Sequence, residues 1–202
     1  MQLPHPTHSL RLCLPNLPLG KATNPSAKSE TLPILRVMTI NETFSEQLNQ
    51  QVSAEHQAAL IYTQLAYELD RMSFPGMRDW MFAQAGEERE HAQKFAQHLL
   101  DRGERVLLTD ISVPELKIDS PQEAFEASLA HEQKVSEMIR ELTRTADKVG
   151  DIDSRSLLNW FLDEQIEEEA TVGEILDRIK ITGNDGSGLL RIDAELGTRD
   201  PE

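Results

Sequence analysis

The sequence predicts an all-α chain, a four-helix bundle with one long crossover and a short fifth helix at its C-terminal end. Three observations lead there. Apolar residues recur in alternating steps of three and four over four separate stretches, the period of one face of a helix. Beyond residue 38, no proline falls inside those stretches. Aromatic residues make up only 5% of the chain, so a core has to be built from Leu, Ile, Val, Ala and Met, which favours helices over a sheet sandwich.

The first helix is expected to open on Thr39-Ile40-Asn41-Glu42, read as a capping box in which a hydroxyl and a carboxylate three apart satisfy opposite free amides. Its stripe is Phe44, Leu48, Val52, Ala59, Tyr62, Ala66 and Leu69, and Phe74-Pro75-Gly76 ends it. The second stripe, Met77, Met81, Ala85, Ala92, Phe95 and Leu99, stops at Gly103. Residues 104–120 have no helical period and include Pro114. Ser120-Pro121-Gln122-Glu123 then opens the third helix, with Ser at the N-cap, Pro at the first position and Glu at the third. Its stripe is Phe125, Leu129, Val135, Ile139, Leu142 and Val149, closed by Gly150. The fourth runs from about Asp153 through Leu158, Phe161, Val172, Ile175 and Ile179 to Gly183, and Leu189 to Leu196 make the short fifth. Short links near 70–76 and 150–153 make antiparallel hairpins of helices one with two and three with four. The long middle segment has to travel the length of the bundle, because a helix of roughly 27 residues spans about 40 Å.

Charge narrows the partners. The chain carries 20 Lys+Arg against 35 Asp+Glu, a formal net charge of -15. Nucleic acid and an anionic membrane surface are both disfavoured, because each needs a basic face. No apolar run approaches the roughly 18–20 residues of a spanning helix. The single cysteine, Cys13, excludes an intrachain disulfide framework and any four-cysteine metal site. Composition shifts at Met38: residues 1–38 hold six of the ten prolines and only Glu30 against Arg11, Lys21, Lys28 and Arg36. That stretch is expected to be a disordered extension, or to precede the true initiator Met38, with residues 39–202 forming the domain.

The chemistry lies in what the stripes pass over. Glu55 sits inside the first, Glu88 and His91 inside the second, Glu132 inside the third, and Gln165 and Glu168 inside the fourth. Placed antiparallel, these positions fall at one level of the bundle. Uncompensated buried carboxylates at one level repel one another and are costly. Oxygen ligands with one imidazole suit a hard-to-borderline divalent cation, iron or manganese rather than tetrahedral zinc. Glu88-x-x-His91 places two such ligands on one helix face.

Gln50-Gln51-Val52-Ser53-Ala54-Glu55, Gly86-Glu87-Glu88-Arg89-Glu90-His91, His131-Glu132-Gln133 and the run from Trp160 to Glu169 resemble the iron-site segments of bacterial non-haem ferritins, members of the ferritin-like diiron carboxylate superfamily. The resemblance covers about residues 39–198, including Gly186 to Leu196 at the end. It implies Glu55, Glu88 and His91 at one iron, Glu132 and Glu168 at a second, Glu88 bridging the two, and Gln165 close by. Tyr62, two turns beyond Glu55, matches the family tyrosine beside the diiron centre, a hydrogen-bond partner and candidate electron donor; a core tyrosine with its hydroxyl satisfied is the alternative. Glu87, Glu164 and Glu167 resemble a third iron position on the cavity side, with an ordinary solvated face as the alternative, and Glu169 is expected to face outward or lie at the edge of the site.

Two departures separate the chain from bacterioferritins. Those repeat Glu-x-x-His on the fourth helix, where this chain has Gln165-x-x-Glu168, and they carry a haem-ligating methionine where it has Arg89, so haem is not expected. The resemblance implies an iron-storage ferroxidase that oxidises Fe(II) with O2 or peroxide and keeps Fe(III) as mineral inside a 24-subunit shell in the cytoplasm. Two other classes compete. A rubrerythrin-type peroxide reductase without storage usually needs a cysteine-ligated iron module, which one cysteine cannot build. A metal-free acidic interaction protein leaves the buried carboxylates without compensation.

Overall fold

The computed structural model describes residues 39–183 and 185–198, and in it five helices follow one another: α1 (Glu42–Arg71), α2 (Pro75–Asp101), α3 (Pro121–Val149), α4 (Arg155–Thr182) and α5 (Gly186–Leu196). No strand occurs among the described residues. The expectation for residues 1–38 lies outside them. No described helix is long and apolar enough to cross a membrane.

Local chemistry explains the ends, with some corrections. α1 is capped not by Thr39 but by Asn41, whose side-chain oxygen accepts from the Phe44 amide at 3.3 Å. Asn is as good an N-cap as any residue, and from position 41 its oxygen reaches the third amide of the helix. At α3 the reading holds: Ser120 Oγ accepts from the Glu123 amide at 3.2 Å. Glu123 turns back to the amide of Asp119, 2.7 Å away, which satisfies the residue just outside the helix. Gly150, at φ 73°, closes α3 in the left-handed conformation that favours glycine. α4 starts at Arg155, two residues later than expected, because Asp151 accepts from the Ser154 amide and from Arg102 and so holds the turn open. Val149 is exposed rather than part of the stripe, since Ala146 is the last buried residue of α3 before its turn leaves the bundle. Leu129 is only half-buried.

The crossover runs along the outside of α1. Asn49 donates to the Arg105 carbonyl and accepts from the Leu107 amide, Gln57 donates to the Ser112 carbonyl, and Arg71 donates to the Ile118 carbonyl. The partners climb α1 in step with the loop, so the segment traverses the bundle as its length requires. At its two ends it lays Val106 and Ile118 on the core.

That core is in two parts. One cluster, around Phe44, Leu48, Phe95, Leu99, Ile139 and Phe161, fills the end where α1 begins; there Phe95 and Phe161 stack with ring centroids 4.0 Å apart. The other, around Leu65, Leu69, Met77, Trp80, Phe125 and Ile179, fills the opposite end. Between them lies a layer of buried polar side chains.

α5 closes the second end by a close backbone approach. Phe74, at the start of α2, has no capping side chain; instead Asp193 of α5 accepts from the Met77 amide at 2.8 Å. A carboxylate there satisfies a free amide and complements the helix dipole. The approach works only because residue 76 is glycine: a Cβ on it would stand 1.8 Å from the Asp193 carbonyl oxygen.

Candidate metal centre

Each of the four long helices contributes to the layer between the two apolar clusters. Glu55 (α1), Glu88 and His91 (α2), Glu132 (α3), and Gln165 and Glu168 (α4) are all buried. The expectation that these residues share one level is met by their contacts. Ligand-capable atoms of Glu55, Glu88 and His91 lie within 4.8 Å of one another, and so do those of His91, Glu164 and Glu168. Glu132 belongs to neither trio and Glu168 groups with His91 and Glu164; the expected Glu132–Glu168 pair is linked through its electrostatics, since the Glu132 charge raises the Glu168 carboxyl.

The carboxylates are held by a surrounding set of donors. Gln51 donates to Glu55 at 2.8 Å. Tyr62 donates to Glu132 Oε1 at 2.5 Å and itself accepts from Ser128 at 3.0 Å, so its hydroxyl is tied to the layer as well as to the core. Gln165 Nε2 donates to the Glu132 carbonyl and to Glu132 Oε2, both at 3.3 Å, and to Ser136 Oγ at 3.2 Å. Gln84 donates to both oxygens of Glu168, at 3.3 and 3.1 Å. His91 Nδ1 stands 3.3 Å from Glu88 Oε2, and its Nε2 stands 3.7 Å from Glu164. One acceptor is left over: Glu55 Oε2 is buried and has no donor, its neighbour being the Glu88 carboxylate, to which it can bond only through a proton. An orphaned carboxylate oxygen beside Glu88 and His91 is what a divalent cation would satisfy, and all-oxygen donors with one imidazole suit iron or manganese.

Sequence reasoning singled out the buried carboxylates, His91, Gln165 and Tyr62 but missed Gln84, Ser128 and Ser136. A signal was present. Gln84 lies four residues before Glu88, Ser128 four before Glu132, and Ser136 four after it, one turn along the same buried face. Glu87, Glu164 and Glu167 line a cavity of about 270 Å³ together with His91 and Glu168. Glu169 lies at the edge of the site, as expected, where it accepts from Ser136 at 2.5 Å.

Burial dominates the electrostatics. It pushes Glu55 well above the usual carboxylate range, with Glu88 adding to the effect. Glu88 is raised by burial and then by Glu132 and Glu168. Burial raises Glu132 against the opposing hydrogen bonds from Tyr62 and Gln165. Glu168 is pushed up to about 8 by burial, then by Glu132 and Glu87. The Tyr62 hydroxyl is raised by burial and by Glu132, which keeps it a donor. Without a cation all of these shifts favour the protonated form of the carboxyls.

The family model for the ferritin-like domain matches residues 45–182. A bacterial non-heme ferritin of Staphylococcus saprophyticus is 38% identical over 160 residues, which is 79% of this chain and 96% of the relative. The chain belongs to the ferritin family. A second bacterial non-heme ferritin, from Staphylococcus aureus, is 36% identical over the same shares of the two chains. Among solved structures, a novel open pore ferritin from the hyperthermophilic archaeon Archaeoglobus fulgidus matches with a TM-score of 0.78 and 36% identity, covering 80% of this chain and 98% of that one. An engineered closed form of the Archaeoglobus fulgidus ferritin gives 0.79 and 35%, over 81% and 100%. As a ferritin the protein stores iron, and iron is its cargo.

The raised carboxylates give this ferritin a pH dependence of definite sign. A carboxyl whose folded value lies above its unfolded value of about 4.3 stabilises the fold fully below the unfolded value and loses that contribution as pH rises through the folded one. For Glu168 that window ends near 8, and Glu55, Glu88 and Glu132 act in the same direction. The melting temperature of the metal-free protein is therefore expected to fall by several degrees between about pH 5 and pH 8. Differential scanning calorimetry in chelator checks this; a melting temperature that rises over that interval contradicts it.

Proposed function

We propose that this ferritin is a ferroxidase: it binds Fe(II) as substrate at the layer between its two apolar clusters, oxidises it with O2 or peroxide, and passes Fe(III) to a mineral held in a 24-subunit shell in the cytoplasm. One observation carries the reading. Four helices each bring buried carboxylate, amide or imidazole side chains to a single level, with no donor in reach of Glu55 Oε2. Nothing in core packing calls for such a layer: buried carboxylates are costly unless they take up protons or meet a counter-charge, and a divalent cation supplies that counter-charge.

With O2 as oxidant, two Fe(II) give up two electrons in total and one O2 takes them to become hydrogen peroxide. Water supplies the hydroxide of the ferric product and four protons leave. The chain's residues have definite tasks. Glu55, Glu88 and His91 hold one Fe(II), and Glu132 and Glu168 hold the second with Glu88 shared. Gln165 and Tyr62 orient Glu132, and Gln84 orients Glu168. Tyr62, whose hydroxyl donates to Glu132, is the candidate donor of one electron when peroxide is the oxidant, which takes two electrons to become water, one Fe(II) supplying the other. Glu87, Glu164 and Glu167 bind a third iron beside the cavity. The acidic surface concentrates cations near these carboxylates. The cargo is iron without haem.

Size-exclusion mass with iron content after aerobic Fe(II) loading tests the reading. The expected result is a particle of 24 chains of 22.8 kDa each that retains iron far beyond three per chain. A stable monomer or dimer overturns the storage shell. A particle that consumes peroxide and retains no iron favours a rubrerythrin-type reductase.

A further inference from the structure

We propose that Ser136 and Glu169 act as a pair of positioning residues that fix the Gln165 amide and, through it, the Glu132 carboxylate at the second metal position. This rests on the metal-centre reading above. Ser136 is buried, and its hydroxyl has one hydrogen, which it donates to Glu169 Oε1 at 2.5 Å. Arg140 Nη2 stands 3.5 Å from the same Glu169 oxygen and faces it with a positive charge. With its hydrogen committed outward, Ser136 Oγ has only lone pairs to offer Gln165. It therefore meets the amide nitrogen, at 3.2 Å, and cannot favour the flipped amide.

The same nitrogen donates to the Glu132 carbonyl and to Glu132 Oε2, at 3.3 Å each. Three acceptors share two hydrogens at long distances, so none of them alone holds the amide firmly. A cation on Glu132 competes with Gln165 for the carboxylate oxygen, whereas Ser136 lies outside that competition. A Ser136 free to turn its hydrogen inward would instead stabilise the flipped amide, with its oxygen against the Glu132 carboxylate. Glu169, at the protein surface end of the chain, prevents that turn. Its role thus differs from the solvated neighbour that the run Glu167-Glu168-Glu169 suggests from sequence.

The test is anaerobic Co(II) titration of the assembled protein, followed by the visible ligand-field bands. The parent protein is expected to bind Co(II) in two steps, both altered by Glu88→Ala. Ser136→Ala and Glu169→Ala should each leave the first step unchanged and weaken the second about tenfold, the lower end of what partners of metal ligands contribute. The double variant should be no weaker than the worse single one, because the two residues form one chain. Ser136→Thr, which restores the hydroxyl, should titrate like the parent. If the parent shows no saturable steps sensitive to Glu88→Ala, the metal-centre reading fails and takes this proposal with it. If the parent shows both steps while Ser136→Ala and Glu169→Ala lower only the melting temperature, the pair is merely structural and this proposal alone is overturned. Additive losses in the double variant overturn it as well. Glu169 lies at the edge of the fold, so its variant remains informative if Ser136→Ala fails to assemble.

Discussion

Glu88→Ala is expected to abolish fast Fe(II) oxidation while changing the stability of the metal-free protein modestly. Glu88 is coupled to both sides of the layer: it raises Glu55 and is itself raised by Glu132, Glu168 and Glu87. Its removal relieves that repulsion but leaves His91 without the carboxylate 3.3 Å away, so the two effects on stability oppose each other. The effect on rate has no such compensation. Loss of a shared ligand should exceed the roughly 100-fold that loss of an outer partner causes. The double change Glu88→Leu with His91→Leu removes both polar groups and continues the stripe from Ala85 to Ala92. Replacing buried charged groups by apolar ones of similar volume stabilises by about 1–4 kcal/mol in favourable cases, so this variant should melt several degrees higher and assemble without activity. The check is the initial aerobic oxidation rate at about two Fe(II) per subunit, beside the melting curve in chelator. Near-normal oxidation by the double variant places the chemistry elsewhere.

The largest loss of stability is expected from Gly76→Ala. Its Cβ would stand 1.8 Å from the carbonyl oxygen of Asp193 and 3.0 Å from the Gly197 nitrogen, both backbone atoms with no rotamer to yield. α5 has to move off α2, and with it goes the Asp193 carboxylate that caps the Met77 amide. Overpacking against backbone costs on the order of 3 kcal/mol, a fall of roughly 6–12 °C in melting temperature for a domain of this size. Gly173→Ala is the control. A Cβ there meets nothing within 4 Å, so it should be neutral or raise stability by up to about 1 kcal/mol through helix propensity. Melting at a fixed scan rate separates the two; Gly76→Ala melting with the parent protein contradicts the close docking of α5.

The helices were legible because their information is local. A stripe such as Phe44, Leu48 and Val52 or Phe161, Val172 and Ile179 states both the helix and its buried face, and Ser120-Pro121 and Gly150 mark their ends within a few residues. Ligands inside stripes were legible for the same reason: Glu55 between Val52 and Ala59 breaks a pattern that core packing alone would continue. What escaped depends on distant partners. Asp193 caps α2 across 116 residues, and no local signal in Phe74-Pro75-Gly76 points to α5. The position of Gln84 one turn before Glu88 marks its buried face but not its partner Glu168, and most glutamines are solvated. The choice of Asn41 over Thr39 escaped because Thr39-x-x-Glu42 matches the capping box, whereas Asn41 caps with its own oxygen and has Phe44 three residues on.

The claim on which the rest depends is that one layer of side chains holds two irons that share Glu88. Anomalous diffraction at the iron edge, from crystals soaked with Fe(II) without oxygen, reads it directly. The account predicts one iron among Glu55, Glu88 and His91 and a second beside Glu132 and Glu168, with Glu88 reaching both. Iron found only among Glu87, Glu164 and Glu167, or nowhere in the layer, would contradict it.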